Sequence, residues 1–160
     1  MKQIVIYGEN RHAKATRTRV ACRGVILSEG KLLLVHEEAV DQWLIPGGGL
    51  EEGETLEECC IREMAEETGS LVQPEQCYLT IHEYYQQWHL ISHYFLCKKL
   101  GDTQQHLTDY EAQAGLVPKW RPLEDAVKDF SEYRKFEGVN EMRRGAYLRE
   151  HTALQALPKA

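Results

Sequence analysis

Runs of apolar residues, and the spacing of polar residues between them, divide the chain into strands and helices. Residues 2–7 (KQIVIY) predict a short strand, followed by a polar loop over 9–15 (ENRHAKA). Residues 17–27 (RTRVACRGVIL) are rich in β-branched and apolar side chains. Ser28-Glu29-Gly30 has turn chemistry ahead of the apolar run Lys31–His36, so these two runs read together as a hairpin. Residues 42–45 (QWLI) predict a short extended piece, closed by Pro46 and three glycines. Farther on, 76–85 (QCYLTIHEYY) and 88–98 (WHLISHYFLCK) predict two strands joined by a Gln-Gln turn, with polar loop over 99–110. Residues 115–121 (GLVPKWR) predict a strand with an irregularity at Pro118.

The clearest helix follows the glycines. Thr55 can cap it, Glu58 completes a capping box, and Gly69 supplies the stop. Leu56, Cys59, Cys60 and Met64 lie near one face, which should pack on a sheet. Pro122 can open a second helix over 123–130, and 139–156 reads as a third. Hairpin strands dominate. The order therefore predicts an α+β fold, a mixed β-sheet with helices packed on it, rather than a doubly wound parallel sheet.

Composition narrows the class. The chain has 160 residues and 18.5 kDa, the usual size of one domain, so 1–160 is expected to be a single unit. Hydrophobic residues make up 42% and charged residues 28%, which fits a soluble globular protein. No apolar run approaches the roughly 20 residues that span a bilayer, and the N-terminus turns polar at once, so neither a membrane nor a signal peptide is expected. A net charge of −6 disfavours general binding to a nucleic-acid polymer. The five cysteines form no CxxC pair; they are expected to be reduced, mostly buried thiols in a cytoplasm.

The candidate chemistry is concentrated in residues 48–70, GGLEEGETLEECCIREMAEETGS. A glycine loop (Gly47, Gly48, Gly49) lets backbone approach a ligand closely. On the helix, Glu63, Glu66 and Glu67 fall within an arc of roughly 100°. Like charges so placed cost stability, and the cost makes sense if hard divalent cations offset it; oxygen-only ligands suit Mg²⁺ or Mn²⁺. Because 20 of the 160 residues are glutamate, a solvated acidic face is the plainer reading of such a cluster taken alone.

The spacing favours the former. Gly48, Glu54, Arg62, Glu63, Met64, Glu66, Glu67 and Gly69 fit Gly-x5-Glu-x7-Arg-Glu-apolar-x-Glu-Glu-x-Gly, preceded by a Trp-x-x-Pro-Gly-Gly stretch at Trp43–Gly48. This resembles the signature of the Nudix hydrolase family, and Ser70 departs from it where an aliphatic residue is usual. The resemblance implies a Nudix-like α/β/α sandwich and divalent metal, Mg²⁺ or Mn²⁺. It also implies hydrolysis of a pyrophosphate bond in a nucleoside diphosphate linked to another moiety. Glu63, Glu66 and Glu67 would then bind metal with the Gly48 carbonyl, Arg62 would orient the carboxylates, and Glu54 would support them. The general base would be Glu63 or a glutamate from a later loop, for which Glu111 is the best placed. A homodimer would fit the family. A non-catalytic Nudix-like domain sensing a nucleotide or sugar-nucleotide is the alternative.

Arg17, Arg19 and Arg23 share a strand face by period-two spacing and could hold substrate phosphate, Arg23 best of all. Tyr84, Tyr85 and Trp88 cluster at a hairpin end and could stack a nucleobase, with ordinary packing or a dimer contact as the plainer reading. Trp43 and Trp120 are expected in the core. His82, His89 and His93 lie on two strands that could pair, where imidazoles could bind zinc or serve as a base, but no carboxylate-rich zinc spacing accompanies them.

Overall fold

The computed structural model describes residues 1–159. The elements, in chain order, are β1 (Lys2–Tyr7), β2 (Arg17–Val25), β3 (Leu27–Ser28), β4 (Lys31–Glu37), β5 (Gln42–Leu44), β6 (Gly47–Gly49), α1 (Leu56–Thr68), β7 (Ser70–Tyr85), β8 (Trp88–Asp102), α2 (Asp109–Ala114), β9 (Leu116–Pro122), α3 (Leu123–Ser131) and α4 (Glu141–Gln155). A 3-10 turn, Tyr133–Phe136, lies before α4. No helix among the described residues is long and apolar enough to cross a membrane.

Two sheets form. The larger is mixed, in the order β1-β7-β8-β2-β6. β7 and β8 are a long antiparallel hairpin, β1 and β2 pair in parallel on its two outer edges, and β6 runs antiparallel to β2. In the smaller sheet, β9 pairs β4 along its whole length, and β3 and β5 pair β4 at its two ends. Helices pack on both sides, the layered α+β arrangement expected from the sequence. α1 buries Cys59, Cys60 and Met64 fully, against Cys22, Phe95 and Cys97. α3 and α4 bury Phe130, Ala126 and Ala153 against Leu32, Leu34 and Ile81.

Several expectations are corrected. The 17–36 hairpin is confined to its turn: only Leu27 and Ser28 pair with Leu32 and Lys31, around Glu29 and Gly30 with positive φ. The rest of that run, β2, belongs to the other sheet, where parallel pairing with β8 leaves no local signal. β7 begins at Ser70, six residues earlier than its apolar pattern, and Pro74 is tolerated beside a register shift between Pro74 and Gln76. β8 likewise runs on to Asp102. Pro118 causes no irregularity: it pairs with Val35 in continuous register, and β9 pairs no strand but β4, so a missing N–H is harmless at that edge. Trp120, on that edge, is 39% exposed and not core, whereas Trp43 packs against the main core. Asp109–Ala114 is a short helix where polar loop was expected, capped by Thr108 and Glu111.

Candidate active site

Local chemistry fixes the helix that carries the glutamates. Thr55 Oγ1 accepts from the Glu58 N–H while the Glu58 carboxylate accepts from the Thr55 N–H, and Gly69 closes the helix at φ 65°. β6 lays the glycines against this helix. A Cβ on Gly48 would sit 2.5 Å from the Glu63 carboxyl carbon, so only glycine lets the two approach. The Gly47 N–H donates to Glu67 Oε2 at 3.2 Å, and Cys59 Sγ donates to the Gly48 carbonyl at 3.6 Å.

Arg62 organises one side. Its Nε and Nη2 grip Glu54 at 2.7 and 3.0 Å, Nη1 reaches Glu63 at 2.8 Å and Glu66 at 3.2 Å, and Nη2 donates to the Gly49 carbonyl at 2.8 Å. This fork holds the Glu54 carboxyl down at about 2. Burial outweighs Arg62 at Glu63 and pushes that carboxyl up. Glu67 is the extreme case. It is 7% exposed, and burial raises its pKa well above the carboxylate range, reinforced by the charges of Glu111 and Glu63. The Gly47 N–H and the Arg23 charge oppose this only in part.

Glu67, Glu111, Gly47, Gly48, Arg19 and Arg23 line one cleft of about 190 Å³. Arg23 Nη1 donates to the Ile45 carbonyl at 3.1 Å, and its buried Nε has no partner. Glu111 enters from the first turn of α2; its Oε1 accepts from the Thr108 N–H at 2.9 Å, leaving the second oxygen free of that duty. Glu37, which lines the same cleft, was missed by sequence reasoning. Burial raises its pKa, with Arg143 opposing and Glu111 adding to the rise. Its only signal was its place at the end of the β4 run.

Arg19 also lines a second, larger cavity of about 480 Å³, together with Tyr85 and Trp88. Tyr84 projects to the opposite sheet face, stacked on His89 with centroids 4.5 Å apart, and Arg17 lies over the Trp88 ring. The histidines pair locally: His82 Nδ1 and His89 Nε2 lie 2.9 Å apart, and His93 bonds Thr80. Among the described residues no three His, Cys, Asp or Glu side chains converge on one point that could hold an ion. In the acidic site this reflects Arg62, which draws Glu63 and Glu66 to itself. Cys22, Cys59, Cys60 and Cys97 are buried free thiols, and Cys77 is half-buried. Ser70 is buried at the helix exit, a hydroxyl where the signature has an aliphatic group.

With this geometry in view, the class is clear: residues 16–140 match the NUDIX domain family, and the chain belongs to it. Phosphatase NudJ of Escherichia coli strain K12 is 42% identical over 67 residues, 41% of this chain and 42% of that protein. The chain thus spans less than half the length of the curated relatives it matches. Among solved structures, a NUDIX hydrolase from Nitrosomonas europaea aligns with a TM-score of 0.56 at 22% identity, over 89% of this chain and 97% of that one. An ADP-ribose pyrophosphatase from Streptococcus suis aligns at 0.52 and 21%, over 66% and 75%. At these identities the likeness is one of fold.

Proposed function

We propose that this chain hydrolyses a pyrophosphate bond in a nucleoside diphosphate linked to another moiety, with Mg²⁺ or Mn²⁺ as cofactor. The observation that carries this reading is Glu67: a buried carboxylate set beside two others, with one N–H as its hydrogen-bond donor. Such a group is costly unless a cation offsets it. The donors fit a hard cation. They are carboxylate oxygens of Glu63, Glu66 and Glu67 and the Gly48 carbonyl, around a cradle that a Gly48 side chain would fill. A divalent ion held there would polarise a phosphoryl oxygen and lower the pKa of a water.

The remaining work falls to the chain. Arg19 and Arg23 draw the diphosphate into the cleft against the glutamates. Arg62 sets the directions of Glu63 and Glu66, and Glu54 anchors Arg62. Glu111 accepts the proton of the attacking water, because Glu63 is tied at 2.8 Å to Arg62 whereas one Glu111 oxygen is free of the helix cap. A release assay across nucleoside diphosphate derivatives, with Mg²⁺ or Mn²⁺ and in ¹⁸O water, tests this. One or more derivatives should be cleaved with ¹⁸O entering a single phosphorus, and excess EDTA should stop the reaction. No cleavage of any derivative, or cleavage undiminished in EDTA, would overturn it.

A further inference from the structure

The 480 Å³ cavity lies between the β2–β8–β7 face and α4. Trp88 and Leu90 give it an apolar wall, as a flat aromatic ligand requires. Its polar end is unusual. Glu83 is 1% exposed, yet its Oε1 has no hydrogen-bond partner. Arg149 Nη1 lies 3.6 Å from that oxygen, beyond hydrogen-bond reach, while Arg149 Nε is committed to Glu150 at 3.0 Å. The Tyr85 hydroxyl, also buried and without a well-formed hydrogen bond, lies next to the Glu83 carboxylate and near Arg149. Tyr85 is wedged in place: a Cβ on Gly145, within α4, would meet its hydroxyl at 2.3 Å, and one on Gly8 would meet its ring at 2.2 Å. A helix-interior glycine is disfavoured unless something needs the room, and here the tyrosine does.

A buried acceptor with a free oxygen, beside two donors, at the end of an apolar slot is an incomplete hydrogen-bonding set. Arg19 lines both this cavity and the carboxylate cleft, so a ligand in the slot lies one arginine away from the glutamates. We propose that the cavity holds the nucleobase of the substrate and that Glu83 is its specificity-determining residue, selecting a base that presents N–H donors, guanine foremost. Guanine offers a carboxylate two adjacent donors, with an acceptor oxygen beside them for Arg149 or Tyr85. Uracil sets a carbonyl oxygen on each side of its single N–H and would bring one of them against the Glu83 carboxylate. The inference rests on the hydrolase reading for the position of the diphosphate, but not for the base contact.

Binding of GMP and UMP, followed by calorimetry with Mg²⁺ present, tests it without hydrolysis, since neither contains a pyrophosphate bond. The wild-type protein should bind GMP about 10-fold or more tightly than UMP, the scale of a charge-assisted hydrogen bond. Glu83→Gln should bring the two within about threefold. Ala146→Phe, which fills the cavity from α4, should also abolish the preference, and it carries the test if Glu83→Gln fails to fold. Equal binding by the wild type, no GMP binding at millimolar concentration, or a preference that survives either folded variant would overturn the inference. A guanine preference without hydrolysis of any diphosphate would sink the hydrolase reading and leave the base assignment standing; hydrolysis indifferent to the base would do the reverse.

Discussion

The cleft and the cavity each contain a buried carboxylate, and their surroundings differ in sign. Glu67 faces Glu111 and Glu63, with the Gly47 N–H as its hydrogen-bond donor. Glu83 faces Arg149, with Glu150 behind it. Burial alone therefore does not set the role of a buried acid; the charges and donors around it do. Glu150 marks the structural end of that scale. Fully buried, it accepts from the Ile45 N–H, the Tyr94 hydroxyl at 2.6 Å and Arg149 Nε, and so pins α4 to the chain just before the glycines. Glu67 marks the other end: it accepts from the Gly47 N–H, and burial beside Glu111 and Glu63 pushes its pKa well above the carboxylate range.

The largest expected effect bears on that difference. Glu67→Gln should lower hydrolysis by about 10³-fold, within the span of losses at acid–base and metal centres. Initial rates at limiting Mg²⁺ check it, and an unchanged rate would place Glu67 with the structural acids. Glu150→Ala should do the opposite kind of damage, removing about 3–5 kcal/mol of stability because three buried donors lose their acceptor. Denaturant unfolding reads this, and a loss below about 1 kcal/mol would break the contrast. Glu111→Gln should lower kcat by roughly 10²-fold with little change in KM. Glutamine still completes the capping box, so circular dichroism should not change and the rate loss reports chemistry rather than a frayed α2.

A smaller effect concerns pH. The folded-state pKa of Glu67 is raised, so its contribution to metal-free stability is fully present below its unfolded value, 4.5, and is lost as pH rises through the folded value. Metal-free wild type should therefore lose stability on this account as pH rises, and Glu67→Gln should flatten the profile and melt higher near neutrality. Glu54 runs the other way. Its pKa is depressed to about 2, so the Arg62 contact stabilises above 4.5 and is lost as pH falls through about 2. Melting curves across pH in EDTA check both signs.

Legibility in the sequence followed the range of the interactions. The α1 helix, its capping box, its Gly69 stop and its acidic face are all written within a few residues, and each is present as read. The Thr108–Glu111 box has the same local signature, but the polar residues around it give the short helix no apolar face to mark it. Tyr85, Trp88 and Arg19 on the cavity wall were legible as binding candidates, but its polar end had no such signature. Glu83 falls within the 76–85 strand run with nothing local to single it out, yet the pleat turns it inward to meet a helix from the far end of the chain. The Glu150 bond to Ile45 joins residues 105 apart. The parallel pairing of β2 with β8 is equally non-local, and it brings Arg19 between the two sites.

The most direct test of the central claim, that the chain leaves the Glu67 charge for a cation to offset, is a calorimetric titration of Mn²⁺ into metal-free protein at neutral pH, run on the wild type and on Glu67→Gln. The account expects saturable binding to the wild type and an affinity weaker by about 10-fold or more in the variant. Equal affinity in the two proteins, or no binding to a folded wild type, would contradict it.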